Sequence, residues 1–353
     1  MDMGGKGYNF KAYGRLAEDL QDEVDIDSRL YYAYVEKKDL LGRLDLRLGR
    51  QFITTTAGAS LMDGLRFDYR FLDNYSAKLY GGGDVTYYEN YTFDANGVFG
   101  VELGGLVYDE VFGFNLSYLQ KWREGVLGQE LAGLDLSYDI DGKLWAYGEF
   151  QYDVLSERMS YALTGAKYRF DNSLSLRLEY LYSLPVFVST SIYSVFAVDE
   201  YEELLAETVF KISPSFQSYF RYVHEMYVDF EDADVFEAGI EKLRTGRVYG
   251  YVSGIYRLDE DGQDLGGVKA YMNYKCGSGF SAGMGANVDV LERSIAYFDS
   301  DDSEQDETTS TRLWVDAKME LTKSVNLEAK YEYIESDLYD YYNRGRVRLN
   351  VLF

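Results

Sequence analysis

Apolar and polar residues alternate along almost the whole chain with a period of two. Between Arg43 and Phe52, Leu44, Leu46 and Leu48 fall on one parity, and Arg43, Asp45 and Arg47 fall on the other. Leu65, Phe67, Tyr69 and Phe71 alternate with Arg66, Asp68 and Arg70, and Leu174, Leu176, Leu178, Tyr180 and Tyr182 alternate with Ser175, Arg177 and Glu179. Near the end, Leu313, Val315, Ala317, Met319 and Leu321 oppose Arg312, Trp314, Asp316, Lys318 and Glu320. A helix would scatter these residues around its axis, whereas a strand sets one parity against apolar surroundings and the other against water.

Such segments recur about twenty times at roughly ten residues each, the length a tilted strand needs to cross a bilayer. The first centres on Phe10 and the last on Leu349. Merging weak neighbours would lower the count in steps of two, to about sixteen. Composition agrees: 17% of the 353 residues are aromatic, with 36 Tyr, and only 2 are Pro, which suits long continuous strands edged by interfacial rings. No run approaches the roughly 18 apolar residues of a membrane-crossing helix. The expected fold is all-β, a transmembrane up-and-down antiparallel β-barrel occupying residues 1–353 as a single domain. It should close, because a sheet in lipid leaves no edge N–H or C=O unpaired. A barrel of this size is too wide for side chains to fill, so its lumen holds water or a plug.

With both termini periplasmic, connections should alternate between long outer loops and short turns. The odd connections read as the longer ones, among them Ile53–Gly64, Glu124–Gln129, Ser294–Thr309 and Ser336–Asn343. Even ones centre on short turns such as Asp73-Asn74, Asp141-Gly142 and Asp171-Asn172. The opening Met1-Asp2-Met3-Gly4 has neither a basic start nor an apolar core, so it reads as a mature chain whose first strand no plug domain precedes. The last segment, Arg346 to Phe353, alternates and ends on Phe; it resembles the C-terminal signature of outer-membrane barrels.

The formal net charge is −25, which disfavours nucleic acid as a partner. By parity the inward-facing charges nearly balance, and the acidic surplus collects in odd connections. Asp229, Asp232, Asp259, Asp261, Asp299, Asp301 and Asp302 mark an acidic outer mouth, with Glu304, Asp306 and Glu307 beside them. Such a rim concentrates cations or holds divalent ions shared with lipopolysaccharide; equally, it is what solvated loops need for solubility. The D-x-D pairs lack the spacing of an EF-hand, so no metal is expected. Cys276 is the only cysteine, and there is no C-x-x-C-H for covalent haem; no cofactor is expected.

The expected pore-lining set is Arg43, Asp45, Arg47, Arg66, Asp68 and Arg70 from two sequential strands, with Arg177, Arg221, Arg312 and Asp316 elsewhere. Four arginines with two aspartates between them make either a charged wall that orders ions by a transverse field, or a set of cross-strand ion pairs that keeps a polar wall satisfied. The segment 53–64 between these strands carries one charge, Asp63. It folds inward as a constriction or packs outside on its neighbours. His224, the only histidine, shares parity with Phe216, Phe220, Tyr222 and Met226, so it faces lipid, and no catalytic triad is expected. Gly81, Gly82 and Gly83 lie within a strand, where they permit curvature or close approach.

Leu48-Gly49-Arg50-Gln51 followed by Asp63-Gly64-Leu65 resembles a pattern of uncharacterised bacterial porins and alginate-export-type barrels. The resemblance covers little of the chain and implies no substrate. Arg50 falls on the apolar parity, which points to a bulge or to the polar interface. Taken together, these features suggest a non-enzymatic outer-membrane porin for small hydrophilic solutes or ions, in contact with membrane lipid and lipopolysaccharide. The alternative is a barrel sheath around a multihaem cytochrome, which the inward rings of Trp145, Tyr147, Tyr219, Tyr249, Tyr251, Tyr271 and Trp314 would suit. A third is a structural or adhesion barrel with a blocked pore.

Overall fold

The computed structural model describes residues 2–5, 7–15, 29–85, 96–184, 200–228, 231–259, 264–277, 279–295, 304–337 and 339–351. Among them there is strand and turn but no helix. The strands are β1 (Asp2–Gly5), β2 (Tyr8–Arg15), β3 (Arg29–Leu40), β4 (Leu44–Thr55), β5 (Gly58–Phe71), β6 (Tyr75–Asp84) and β7 (Gly97–Val107). Next come β8 (Phe112–Arg123), β9 (Val126–Ile140), β10 (Leu144–Asp153), β11 (Arg158–Arg169), β12 (Leu174–Ser183), β13 (Tyr201–Ser213) and β14 (Phe216–Tyr227). The last are β15 (Ala233–Lys242), β16 (Val248–Asp259), β17 (Leu265–Lys275), β18 (Phe280–Ile295), β19 (Glu304–Thr322), β20 (Val325–Ser336) and β21 (Tyr339–Val351). The twenty segments read from the alternation fall one each in β2 to β21; the four-residue β1 is additional.

All strands belong to one sheet, and sequential strands are antiparallel partners. The chain forms two compact units. The first comprises Met1–Asp141, Trp145–Thr164 and Tyr182–Val198; the second comprises Gly142–Leu144, Gly165–Leu181 and Asp199–Phe353. The first holds β1 to β9 whole and the second β13 to β21 whole, while β10 to β12 contribute to both.

Period-two alternation gives each unit two unlike faces. In the first unit, Leu48, Leu79, Leu103 and Leu116 stand on an apolar face, and in the second Phe220, Val252, Met284 and Val315 do the same. Leu48 and Val252 are each 57% exposed and Met284 58%, although a protein in water rarely leaves so continuous an apolar surface bare. The opposite face carries ion pairs, such as Lys78–Glu102 at 2.5 Å in the first unit and Arg257–Glu225 at 3.1 Å in the second.

Several connections differ from the sequence expectation. The β4–β5 connection is the two-residue turn 56–57, because the ladder continues through Thr55 and Gly58. Likewise β8 and β9 are joined by residues 124–125, β20 pairs with β21 out to Ser336 and Tyr339, and β18 pairs with β19 out to Ile295 and Glu304. The β-branched and polar residues read as loop are compatible with a ladder, and hydrogen-bonded pairing carries the strands past the alternating region. Glu304, Asp306 and Glu307 therefore lie in β19 rather than in a loop. The short even turns are as expected, and several need left-handed backbone, with φ of 57° at Leu72 and 50° at Asp141.

The β11–β12 turn shows how a short connection is fixed. Asp171 Oδ1 accepts from the Ser173 hydroxyl (2.7 Å), the Ser173 N–H (2.6 Å) and the Leu174 N–H (2.8 Å). These donors hold the Asp171 carboxyl below its usual range. A depressed folded-state pKa contributes stability above the unfolded value of about 3.9, and that contribution is lost as pH falls through the folded value. Asp171→Ala is therefore expected to lower the urea midpoint at neutral pH, with the gap to the parent closing in acid. Urea titrations at two pH values check this.

Candidate functional site

The resembling motif is the hinge of the β4–β5 hairpin. Its residues are cross-strand partners: Leu48 with Leu65, Gly49 with Gly64, Arg50 with Asp63, and Gln51 with Met62. The row continues from Gly64 to Gly82 of β6. Gly49 has φ +124°, and a Cβ on Gly82 would lie 2.6 Å from the Gly64 Cα. Side chains are excluded there, so the backbones approach closely and the hairpin can bend. The ladder has no bulge at Arg50. Instead Arg50, on the apolar parity, forms a two-pronged pair with Asp63, Nε to Oδ1 at 2.9 Å and Nη2 to Oδ2 at 2.6 Å. The pair neutralises a charge that stands on the otherwise apolar face.

Beyond the hinge, the hairpin tip lies on the polar face of β8, β9 and β10. The Ala57 N–H donates to Ser117 Oγ (2.8 Å), Lys121 Nζ donates to the Ala59 carbonyl (2.7 Å), and Gln151 Nε2 donates to the Thr56 carbonyl (3.0 Å). A Cβ on Gly133 would come within 2.5 Å of the Thr56 carbonyl carbon, so glycine makes room for the turn. Ile53, Ala57 and Met62 join Tyr80, Val98, Leu119 and Leu131 in one buried cluster. Each large aliphatic side chain so covered contributes about 1.5–3 kcal/mol. The segment 53–64 thus lies against the polar face of β8 to β10. Ser117→Ala would leave the Ala57 N–H buried without an acceptor, at an expected cost of about 1–3 kcal/mol. Urea unfolding of parent and variant, with and without the tip, checks this: the cost should vanish when the tip is removed.

The expected lining residues of this unit share the polar face but are mostly paired. Arg47 sits directly opposite Arg66, and Asp45 opposite Asp68. Arg66 pairs with Asp68 (2.9 Å), and Arg70 with Asp39 (2.5 Å) and Asp45 (3.5 Å). Arg47 takes Glu36 of β3 (2.7 Å) and stacks its guanidinium over Tyr34; sequence reasoning missed that partner because it comes from the preceding strand. Arg43 lies in the turn 41–43, exposed, where Leu41 and Gly42 have positive φ.

In the second unit Arg177, Glu207, Arg221 and Glu237 form a continuous row across β12 to β15. Glu207 meets Arg177 at 3.3 Å and Arg221 at 2.8 Å, and Arg221 meets Glu237 at 3.2 Å. Arg312 pairs with Glu332, and Asp316 accepts from the Tyr271 hydroxyl (3.2 Å). Asp229, Asp261, Asp299, Asp301 and Asp302 of the expected acidic mouth lie outside the described residues. Asp259 is paired with Arg257 (2.7 Å), and Asp232 accepts the Tyr227 N–H (3.2 Å). His224 lies opposite Asp234, its Nδ1 2.9 Å from Oδ1, on the parity of Phe220. Cys276 is exposed in the β17–β18 turn.

Solved structures share this fold. OccK10 (OpdN) of Pseudomonas aeruginosa aligns with a TM-score of 0.52 at 10% identity, over 84% of this chain and 94% of its own. OccK3 (OpdO) of the same organism aligns at 0.51 and 13% identity, over 87% and 94%. OpdL, also from Pseudomonas aeruginosa, aligns at 0.50 and 12% identity, over 87% and 97%. These neighbours are outer-membrane porins. The chain shares their fold. No protein-family profile and no curated protein matches the chain in sequence, so the likeness is carried by strand architecture.

Proposed function

We propose that this chain is a passive, water-filled channel of the bacterial outer membrane for small hydrophilic solutes or ions. In this reading the sheet closes as a barrel, because lipid leaves no strand edge unpaired. The apolar face meets lipid, and the ion-paired face lines the lumen. The observation that carries the proposal is the β4–β5 tip, hydrogen-bonded onto the polar face at Ser117, Lys121 and Gln151. An element lying on the polar face narrows the passage without filling it, and the paired charges around it present a polar, nearly neutral wall to a solute. The acidic connections add a negative outer rim, whose pull on cations fades as salt rises because the Debye length falls to about 8 Å near 0.15 M. Lipid and lipopolysaccharide are its membrane partners. The chemistry is passage rather than turnover, with no cofactor. The cytochrome-sheath reading gains no support from a polar face already occupied by the chain's own hairpin.

Planar bilayers test this. The purified protein should give discrete single-channel steps with a weak cation preference at low salt. A correctly inserted protein that passes no current would remove the channel reading.

A further inference from the structure

The polar face of the second unit carries an aromatic floor that the ion pairs do not explain. Tyr271 of β17 and Trp314 of β19 flank Gly285 of β18 in one cross-strand row. Their rings meet above it, with centroids 6.2 Å apart and planes 12° apart. A Cβ on Gly285 would stand 2.7 Å from Trp314 Cη2, and one on Gly283 would stand 2.9 Å from Tyr271 Cζ. The two glycines thus let both rings lie against the strand backbone. Tyr251 and Tyr249 extend the floor, at 6.0 and 6.4 Å from Tyr271.

A groove of about 190 Å³ adjoins the floor, lined by Asn273, Asp316, Glu328, Lys330, Arg346 and Arg348 among others. Asn273 is 2% exposed. Its Nδ2 donates to the Tyr271 hydroxyl (3.1 Å), but its buried Oδ1 has no hydrogen-bond partner. A buried acceptor left unmade is costly, so this oxygen is suited to a donor from a bound molecule. Arg344, Arg346 and Arg348 share the polar face of β21, about 7 Å apart along the strand. Among the described residues they have no carboxylate at ion-pair distance, whereas Glu332 and Glu328 are taken up by Arg312, Lys330 and Lys318.

We propose that this floor and groove bind a phosphorylated sugar. A flat aromatic floor takes the apolar C–H face of a sugar ring. Asn273 Oδ1 lacks a donor, and the carboxylates of Asp316 and Glu328 beside it can accept further hydroxyl donors in addition to Tyr271 and Lys318; a sugar has such hydroxyls and an aromatic acid lacks them. The unpaired arginines need an oxyanion, and guanidinium forks match phosphate geometry. More than one unpaired cation favours a doubly charged phosphate over a singly charged carboxylate. A neutral sugar would leave the arginines unanswered, and free phosphate would gain nothing from the rings.

The proposal rests on the channel reading in that a solute must reach the polar face, yet binding can be read without transport. Calorimetry on the purified protein in detergent should show saturable binding of glucose 6-phosphate, about tenfold or more tighter than glucose, glucuronate, benzoate or inorganic phosphate. Trp314→Leu should weaken it about tenfold, and Arg346→Gln with Arg348→Gln should abolish the preference over glucose. Glucose 6-phosphate binding no tighter than inorganic phosphate, or tighter binding of glucuronate or benzoate, would overturn the site, as would unchanged binding in both variants. The parent protein alone decides the ligand comparison, so the test does not depend on the variants folding. A chain that binds glucose 6-phosphate but carries no current would remove the channel and leave the site. A conducting chain that binds none would remove the site and leave the channel.

Discussion

Cutting the β4–β5 hairpin back to its hinge is expected to raise single-channel conductance several-fold. Gln51 and Met62 are register partners, so replacing residues 52–61 with Asn-Gly keeps the ladder and closes it with a turn suited to a two-residue hairpin. What disappears is the segment whose Thr56, Ala57 and Ala59 backbone groups are tied to Gln151, Ser117 and Lys121. The cut also uncovers Leu119 and Leu131, so some stability should go with it: each large side chain returned to water costs about 1.5–3 kcal/mol. The conductance of the shortened chain in planar bilayers checks the expectation. An unchanged conductance would mean that the tip does not narrow the conducting path.

Arg221→Gln should produce the largest change in ion selectivity. Arg221 donates through Nε (3.1 Å) and Nη2 (2.8 Å) to Glu207 and through Nη1 (3.2 Å) to Glu237. Removing its charge leaves Glu207 with Arg177, which lies 3.3 Å from Glu207 and 3.3 Å from Glu179, and leaves Glu237 with the Tyr219 hydroxyl (2.7 Å) but no cation at ion-pair distance among the described residues. The local balance moves one unit negative on a wall where cations and anions otherwise nearly cancel. The reversal potential in a salt gradient should shift toward cations, more at low salt than at high salt, because exposed charges are screened. Arg221→Lys should keep the selectivity, since it keeps the charge, while losing the two-pronged geometry. Stability should fall in the glutamine variant by about 1–3 kcal/mol, as expected when hydrogen bonds to charged groups are lost.

The strands were legible because apolar and aqueous surroundings act on alternate residues, and each of the expected segments from Phe10 to Leu349 lies within one strand. The tip was harder to read. Ile53, Leu61 and Met62 are apolar on both parities, the mark of a segment covered on both sides, but a short stretch of this kind also reads as a loop. The complementary signal lay in Val98, Leu119 and Leu131, apolar residues on the polar parity, which only make sense beneath a cover. Connection lengths were legible only where turn residues fixed them, as at Asp141-Gly142. Where Thr54-Thr55 and Glu304 to Thr309 could as well pair, the ladder ran on. Ion partners within one hairpin, such as Arg66 with Asp68, could be anticipated. Glu36 for Arg47 required the register of the neighbouring strand, and Arg50 required Asp63 to be seen as its cross-strand partner rather than a bulge.

The most direct measurement is thiol labelling in lipid vesicles, in a Cys276→Ser background. Single cysteines replace Arg47, Arg66 and Arg70 on one parity and Leu46, Leu48 and Phe67 on the other. A small, charged, water-soluble thiol reagent should modify Arg47→Cys, Arg66→Cys and Arg70→Cys and leave Leu46→Cys, Leu48→Cys and Phe67→Cys unreacted, because the first set faces water and the second faces lipid. The reverse pattern, or equal labelling of both sets, would contradict a membrane-spanning sheet whose ion-paired face lines an aqueous passage.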